Sequence, residues 1–183
     1  MTPRLRRLSM DSEILRADFS GHPFVRVTPV GWEPAEQYRV EYWVRGVMLA
    51  AGSAQPTPAE HFIANITLPN DYPRVKPLCT METPVFHPNF GSRVGDEICI
   101  ADYWAPSQGL SEIILKIGEM LQFRDYNTKS PLNAMAARWA DENASVLPVG
   151  TRPMSRVGAA RATVEDRTSS PPTSSPSEGE TSG

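Results

Sequence analysis

The chain has 183 residues, 40% of them apolar, with 18 prolines and 12 glycines, a make-up that suits one globular domain with appendages better than two full domains. A formal net charge of -3 is not the footprint of a general nucleic-acid binder. The two cysteines, Cys79 and Cys99, form no CxxC pair and no zinc-finger spacing, which argues against a disulfide scaffold or structural metal. With no secretory-leader pattern and no run approaching about 18 apolar residues, a cytoplasmic protein with no membrane partner is expected.

Taken in chain order, Leu5, Leu8, Ser12, Leu15 and Phe19 recur at three- and four-residue steps, predicting an amphipathic first helix over Pro3 to Phe19. Arg4, Arg6 and Arg7 on that helix form a basic patch, either a solvated face or a surface that docks a partner. Runs rich in β-branched and aromatic residues follow at Phe24 to Pro29, Tyr38 to Val44 and His61 to Leu68, with a fourth around Leu78 to Met81. Tyr38, Val40, Tyr42 and Val44 alternate with Arg39, Glu41, Trp43 and Arg45, and Phe62, Ala64, Ile66 and Leu68 repeat that period, so each strand has one inward face. Leu110, Ile113, Ile114, Ile117, Met120 and Leu121 predict a buried central helix. A last helix is read from Ser130 as N-cap and Pro131 at the first turn, with Leu132, Met135, Ala136 and Trp139 inward. The order helix, strands, helix, helix means α+β: an antiparallel four-stranded sheet meander with an N-terminal helix and C-terminal helices packed on it. The domain is read as residues 1–150. Residues 151–183, ending SSPPTSSPSEGETSG, have too little apolar surface to offset the entropy of ordering and are expected to be a disordered tail.

Five pieces then occur in order: Tyr72-Pro73, Phe86-His87-Pro88-Asn89, Ile98-Cys99-Ile100, Trp104-Ala105-Pro106, and two helices of which the second follows Pro131-Leu132. Each alone is weak, but together, over Leu5 to Asn143, the chain resembles the catalytic core of ubiquitin-conjugating enzymes. The resemblance implies that fold, with the family's last helix missing after Asn143. It also implies that Cys99 carries a ubiquitin or ubiquitin-like protein as a thioester, received from an activating enzyme, and passes it to an amine. A thiolate suits this role because it takes an acyl group from another thioester at little energetic cost and leaves a product still reactive toward amines. By the same resemblance Asn89 stabilises the oxyanion formed when the amine attacks, or holds the active-site loop. His87 is structural, bonding nearby backbone, and Pro88 fixes the turn that presents Asn89. Asp125 to Leu132 resembles the segment that receives the acceptor lysine, including Asn127, but Ser130 stands where the family has an aspartate. Asp125 or Asp102 therefore substitutes, or the amine is deprotonated through desolvation by a partner.

In the family, the loop after Tyr72-Pro73 and the loop holding Trp104 and Pro106 form an apolar patch for ligases; Arg74 replaces the usual apolar residue there. The implied partners are thus a modifier, an activating enzyme, and a ligase or a direct protein substrate, with no cofactor and no metal. Basic charge comes from 15 arginines and three lysines (Lys76, Lys116, Lys129), a scarcity that would limit self-modification in an enzyme attacking lysine. Divergent loops and arginine-rich composition resemble bacterial-type members of ubiquitin-like antiviral systems. The main alternative is a non-catalytic module binding ubiquitin-like proteins on the same fold, although such variants lack the cysteine. A thiol hydrolase would instead need an imidazole within reach of Cys99.

Overall fold

A computed structural model describes residues 1–100 and 103–157; Asp102 and the chain from residue 158 onward lie outside the described residues. Helix α1 (Pro3–Phe19) starts where the Thr2 hydroxyl accepts the Leu5 N–H at 3.2 Å and where Pro3, having no N–H, leaves none unpaired. Its inward stripe is Leu8, Asp11, Ser12, Leu15 and Phe19, while Leu5 is exposed.

Strands β1 (Val25–Val30), β2 (Gln37–Tyr42), β5 (Phe62–Thr67) and β6 (Leu78–Met81) form the antiparallel sheet in that order. The register sets Val40 opposite Val27 and Ala64, and Ile66 opposite Cys79. Because side chains alternate, Tyr38, Val40, Tyr42, Phe62, Ala64 and Ile66 all fall on the covered face and are buried. There they share one core with helix α2 (Leu110–Leu121), whose Ile113, Ile114, Ile117 and Leu121 are buried. The Tyr42 hydroxyl donates to Ile114 O at 3.0 Å, so the buried phenol is satisfied. A small hairpin, β3 (Gly46–Met48) with β4 (Thr57–Ala59), interrupts the predicted meander. Gly46 has to be glycine because a Cβ there would lie 2.7 Å from the Leu121 carbonyl oxygen.

Two expectations are corrected. Helix α3 spans Ala134–Glu142, not a segment starting at Ser130, because Asn133 is the cap whose side chain accepts the Ala136 N–H at 3.1 Å. Leu132 and Met135 consequently face outward, and Ala136, Ala137 and Ala140 fill the inner face. The expected tail also begins too early. Gln122, fully buried, bonds Arg152 on both sides of its amide, accepting from Arg152 N at 2.7 Å and donating to Arg152 O at 3.0 Å. Arg152 lies over the Phe24 ring at 4.4 Å, Met154 packs on the core beside Gly118, and Arg156 reaches Asp18 at 3.4 Å. Residues 151–156 are thus a strap on the body. Hydropathy could not signal this, since most of the attachment is made by backbone groups satisfying a buried amide and by two arginine side chains, with Met154 the one apolar anchor. Between Val146 and Arg156 the chain has no helix.

Candidate functional site

Three segments join at the His87–Asn89 turn, one of them carrying Cys99. The first is the turn after β6, anchored where Phe86 N donates to Val47 O at 2.8 Å. His87 follows, fully buried and set against the Phe90 and Phe123 rings with centroids 4.9 and 4.5 Å away. Burial holds this imidazole well below its ordinary range, at about 3, so it is neutral. Its Nδ1 accepts the Asn89 N–H at 3.1 Å, which places the proton on Nε2 and leaves no lone pair to act as a base. His87 therefore shapes the turn.

The second segment carries the thiol. Ile98 N donates to Cys79 O at 2.8 Å and Cys99 N to Asn89 O at 2.9 Å, fixing an extended stretch between β6 and the turn. Ile98 and Ile100 are buried and Cys99 between them is half-buried, so the strand turns its one thiol outward. Cys79 is the opposite case, 1% exposed, with burial pushing its thiol up to about 12.

The third segment runs from Asp125 to Asn133. Asn89 holds it with both ends of its amide: Nδ2 donates to Asn127 O at 3.0 Å, and Oδ1 accepts the Asn127 N–H at 2.8 Å. Pro88 O accepts from Leu132 N at 2.8 Å and Asn133 N at 3.0 Å, so the preceding residue in the turn clasps the same loop at its far end. In this arrangement the Asn89 amide is a loop clasp with its donor engaged. Asn127 in turn accepts Lys129 N at 2.8 Å through its side chain, and Ser130 is exposed with no hydrogen bond to the others. Asp125 is exposed and paired with Lys116 at 3.1 Å. Asp102 lies outside the described residues. A carboxylate absent from the sequence expectations stands nearer the thiol in the chain: Glu97, two residues before Cys99, paired with Lys76 at 2.8 Å. Its signal was the two-residue spacing, which on an extended run puts both side chains on one side.

The expected partner surface is rearranged. Arg7 is not free to dock. Its guanidinium binds Asp11 Oδ2 and the Tyr72 hydroxyl, both at 2.8 Å, Gln108 O at 2.7 Å, and Pro106 O. Tyr72 also donates to Asp11 at 2.6 Å, and burial raises its hydroxyl well above the usual phenol range, keeping it a neutral donor. Trp104 Nε1 donates to Pro73 O at 2.7 Å. The two loops and α1 are thereby tied into one unit through buried polar groups. Arg4 is likewise engaged, with Glu36 at 2.6 Å and Pro69 O at 3.3 Å. Arg6 is exposed, and Arg74 is exposed with a 3.0 Å pair to Asp71. None of the three imidazoles bonds Cys99: His22 accepts the Phe24 and Val25 N–H groups, His61 pairs with Glu41, and His87 is used as above. The hydrolase reading loses its base.

Residues 32–147 match the family model of the ubiquitin-conjugating enzyme. Ubiquitin-conjugating enzyme E2 PEX4 of Gibberella zeae is 32% identical over 94 residues, which cover 50% of this chain and 53% of that one. This chain thus spans about half that relative's length. Ubiquitin-conjugating enzyme E2 3 of Arabidopsis thaliana is 27% identical over 146 residues, covering 78% of this chain and 87% of its own. The solved E2 domain of a Toxoplasma gondii ubiquitin conjugating enzyme is similar with a TM-score of 0.50 at 25% identity, covering 78% of this chain and 88% of its own. The chain belongs to the ubiquitin-conjugating enzyme family. Among the described residues no helix is long and apolar enough to cross a membrane.

Proposed function

We propose that this protein accepts a ubiquitin or ubiquitin-like modifier from an activating enzyme as a thioester on Cys99 and transfers it to an amine, acting in the cytoplasm with a ligase or directly on a protein substrate. The observation that carries this reading is the contrast between the two thiols: Cys99 opens to the surface between two anchored isoleucines, while Cys79 is sealed in the sheet. The sulfur attacks the carbonyl carbon of the incoming thioester, the activating enzyme's thiolate leaves, and one thioester replaces another of similar energy. Asn89 acts first as a positioning residue, clasping the Asn127 loop to the turn whose backbone binds Cys99 N. When the amine attacks, rotation of the amide from Asn127 O would bring its donor to the developing oxyanion.

The proposed catalytic unit is the body to Arg156, with the remainder a tail. Incubation with purified modifiers, their activating enzymes and ATP should give an adduct that reducing agent removes and that Cys99→Ala lacks. Non-covalent binding of the modifier with no adduct, from active and matched partners, would favour the binding module instead.

A further inference from the structure

Strand β1 stands at an edge of the sheet, and its inner face is covered only in part. By register Val25, Val27 and Pro29 lie opposite Tyr42, Val40 and Tyr38 on the covered face, yet Val27 is half-buried and Pro29 exposed. Between this edge and α1 lies an open cleft of about 590 Å³, a size that holds a large side chain. Phe19, His22, Pro23, Val25 and Trp43 line it where β1 begins. Where β1 ends, Gly31, with φ +90°, turns the chain and Trp32 stands 94% exposed. A tryptophan so far in water leaves a large burial unrealised, and tryptophan is among the side chains that most often anchor interfaces. The backbone of the edge selects what can pair with it. Trp43 N donates to Phe24 O at 2.9 Å, so Phe24, Arg26 and Thr28 aim their backbone groups at β2, and Val25, Val27 and Pro29 aim theirs outward. His22 Nδ1 takes the Val25 N–H at 3.1 Å, and Pro29 has none to give. Among the described residues, Val27 N–H is the one outward donor of β1 without a partner.

We propose that the chain forms an isologous dimer in which the two β1 edges pair antiparallel about Val27 and each Trp32 fills the cleft between α1 and β1 of the other copy. A two-fold axis at Val27 lets the N–H of each copy donate to Val27 O of the other and sets Val25 against Pro29, so no edge N–H is left unpaired. Counted on from the axis, residue 32 falls opposite residue 22 of the second copy, one strand spacing of about 4.8 Å away. That is the end of the cleft lined by Phe19, His22 and Trp43. Because the exposed ring and the cleft stand at opposite ends of one strand, a two-fold rotation satisfies both at once, whereas a partner of another kind would fill the cleft and leave Trp32 in water. Two tryptophans, the cleft walls they cover and the paired edges bury about 1,000 Å² in total, near the lower limit for a specific interface. A Kd on the order of 10 µM is therefore expected. Cys99 stays open in both copies, since Glu97 ties its stretch to Thr80 of β6, at the opposite edge of the sheet.

Sedimentation velocity of the full chain from about 1 to about 200 µM tests this, together with amide hydrogen exchange at both ends of that range. Wild type should pass from monomer to dimer, and the Val27 amide should exchange at least about tenfold more slowly at the high concentration. Trp32→Ala removes a ring that the fold does not bury, so its Tm should match wild type while its dimerisation weakens by at least about a hundredfold, leaving it monomeric throughout. Its Val27 amide should exchange at one rate at every concentration. A wild type that stays monomeric across the range overturns the proposal. So does a dimer that survives Trp32→Ala, which would place the contact on another face, or a wild-type dimer whose Val27 exchange does not slow, which would exclude the edge pairing. No modifier or activating enzyme enters the measurement, so either result leaves the thioester reading as it stands.

Discussion

Replacing Arg7 with methionine keeps most of the apolar stem but removes four polar contacts from the junction of α1 and the two loops. The Asp11 carboxylate, its side chain 4% exposed, then keeps the Tyr72 hydroxyl and loses its cation, whose side chain is 18% exposed. Removing one partner of a buried ion pair costs about 3–5 kcal/mol. The surviving Tyr72 bond and the partial exposure of Arg7 bring the expected cost to about 2–3 kcal/mol. For a body of about 150 residues this lowers Tm by roughly 4–12 °C. Thermal unfolding of wild type, Arg7→Met, Asp11→Asn and the double variant gives the coupling directly, expected at about 1–2 kcal/mol because Asp11→Asn removes the charge that Arg7 neutralises. If Arg7 served only to dock a partner, Arg7→Met would leave Tm within a degree and show no coupling to Asp11. That outcome would refute the reassignment of this arginine from docking to architecture.

Other consequences follow from the same geometry. Asn89→Ala removes both bonds to Asn127 and should cost about 2–3 kcal/mol, with hydrogen exchange rising across Asp125–Asn133; unchanged protection there would mean that the clasp holds nothing. Iodoacetamide should label Cys99 in the folded protein and Cys79 only on unfolding, and equal rates would contradict the burial contrast. His87 and His22 are both held below the ordinary histidine range by burial, so below about pH 6.5 the unfolded chain binds more protons than the folded one. Stability is therefore complete above that pH and falls as pH drops toward the folded values, with a slope of about 1–3 kcal/mol per unit between pH 6 and 5. Urea unfolding at pH 7, 6 and 5 checks this, and a flat profile rejects it. Truncation after Gly150 should destabilise the body by at least about 2 kcal/mol, whereas truncation after Val157 should leave it unchanged, as denaturant midpoints would report.

What the sequence made legible, and what it did not, follows from the range of the forces involved. The inward faces of β2 and β5 and the stripe of α2 were readable because burial repeats with the period of the backbone, and Tyr38, Val40, Tyr42 and the isoleucines of α2 lie where that period puts them. The start of α3 was misread because Ser130-Pro131 and Asn133 offer competing caps; Pro88 O binds Leu132 N and Asn133 N and decides for the latter. The β3–β4 hairpin was missed because its strands are three residues long and contain Gly46 and Pro58. In the site, the thiol and its turn were legible as an ordered motif. The neighbours of Cys99 were not, because Glu97–Lys76 and Asn89–Asn127 join residues far apart in the chain. The basic cluster of α1 misled for a related reason: charge spacing marks Arg7 as exposed, and beside Asp11 of its own helix only the folded loops supply the hydroxyl and carbonyls that bind it.

Whether Cys99 carries the modifier through its sulfur is read from intact-mass spectrometry of the charged protein and its Cys99→Ser, Cys99→Ala and Cys79→Ala variants, before and after thiol treatment. Wild type and Cys79→Ala should each gain one modifier mass, less one water, discharged by thiol. Cys99→Ala should carry none, and any adduct of Cys99→Ser should resist thiol and yield to hydroxide. A thiol-sensitive adduct that persists in Cys99→Ala, or that disappears in Cys79→Ala while that variant remains folded, would contradict it.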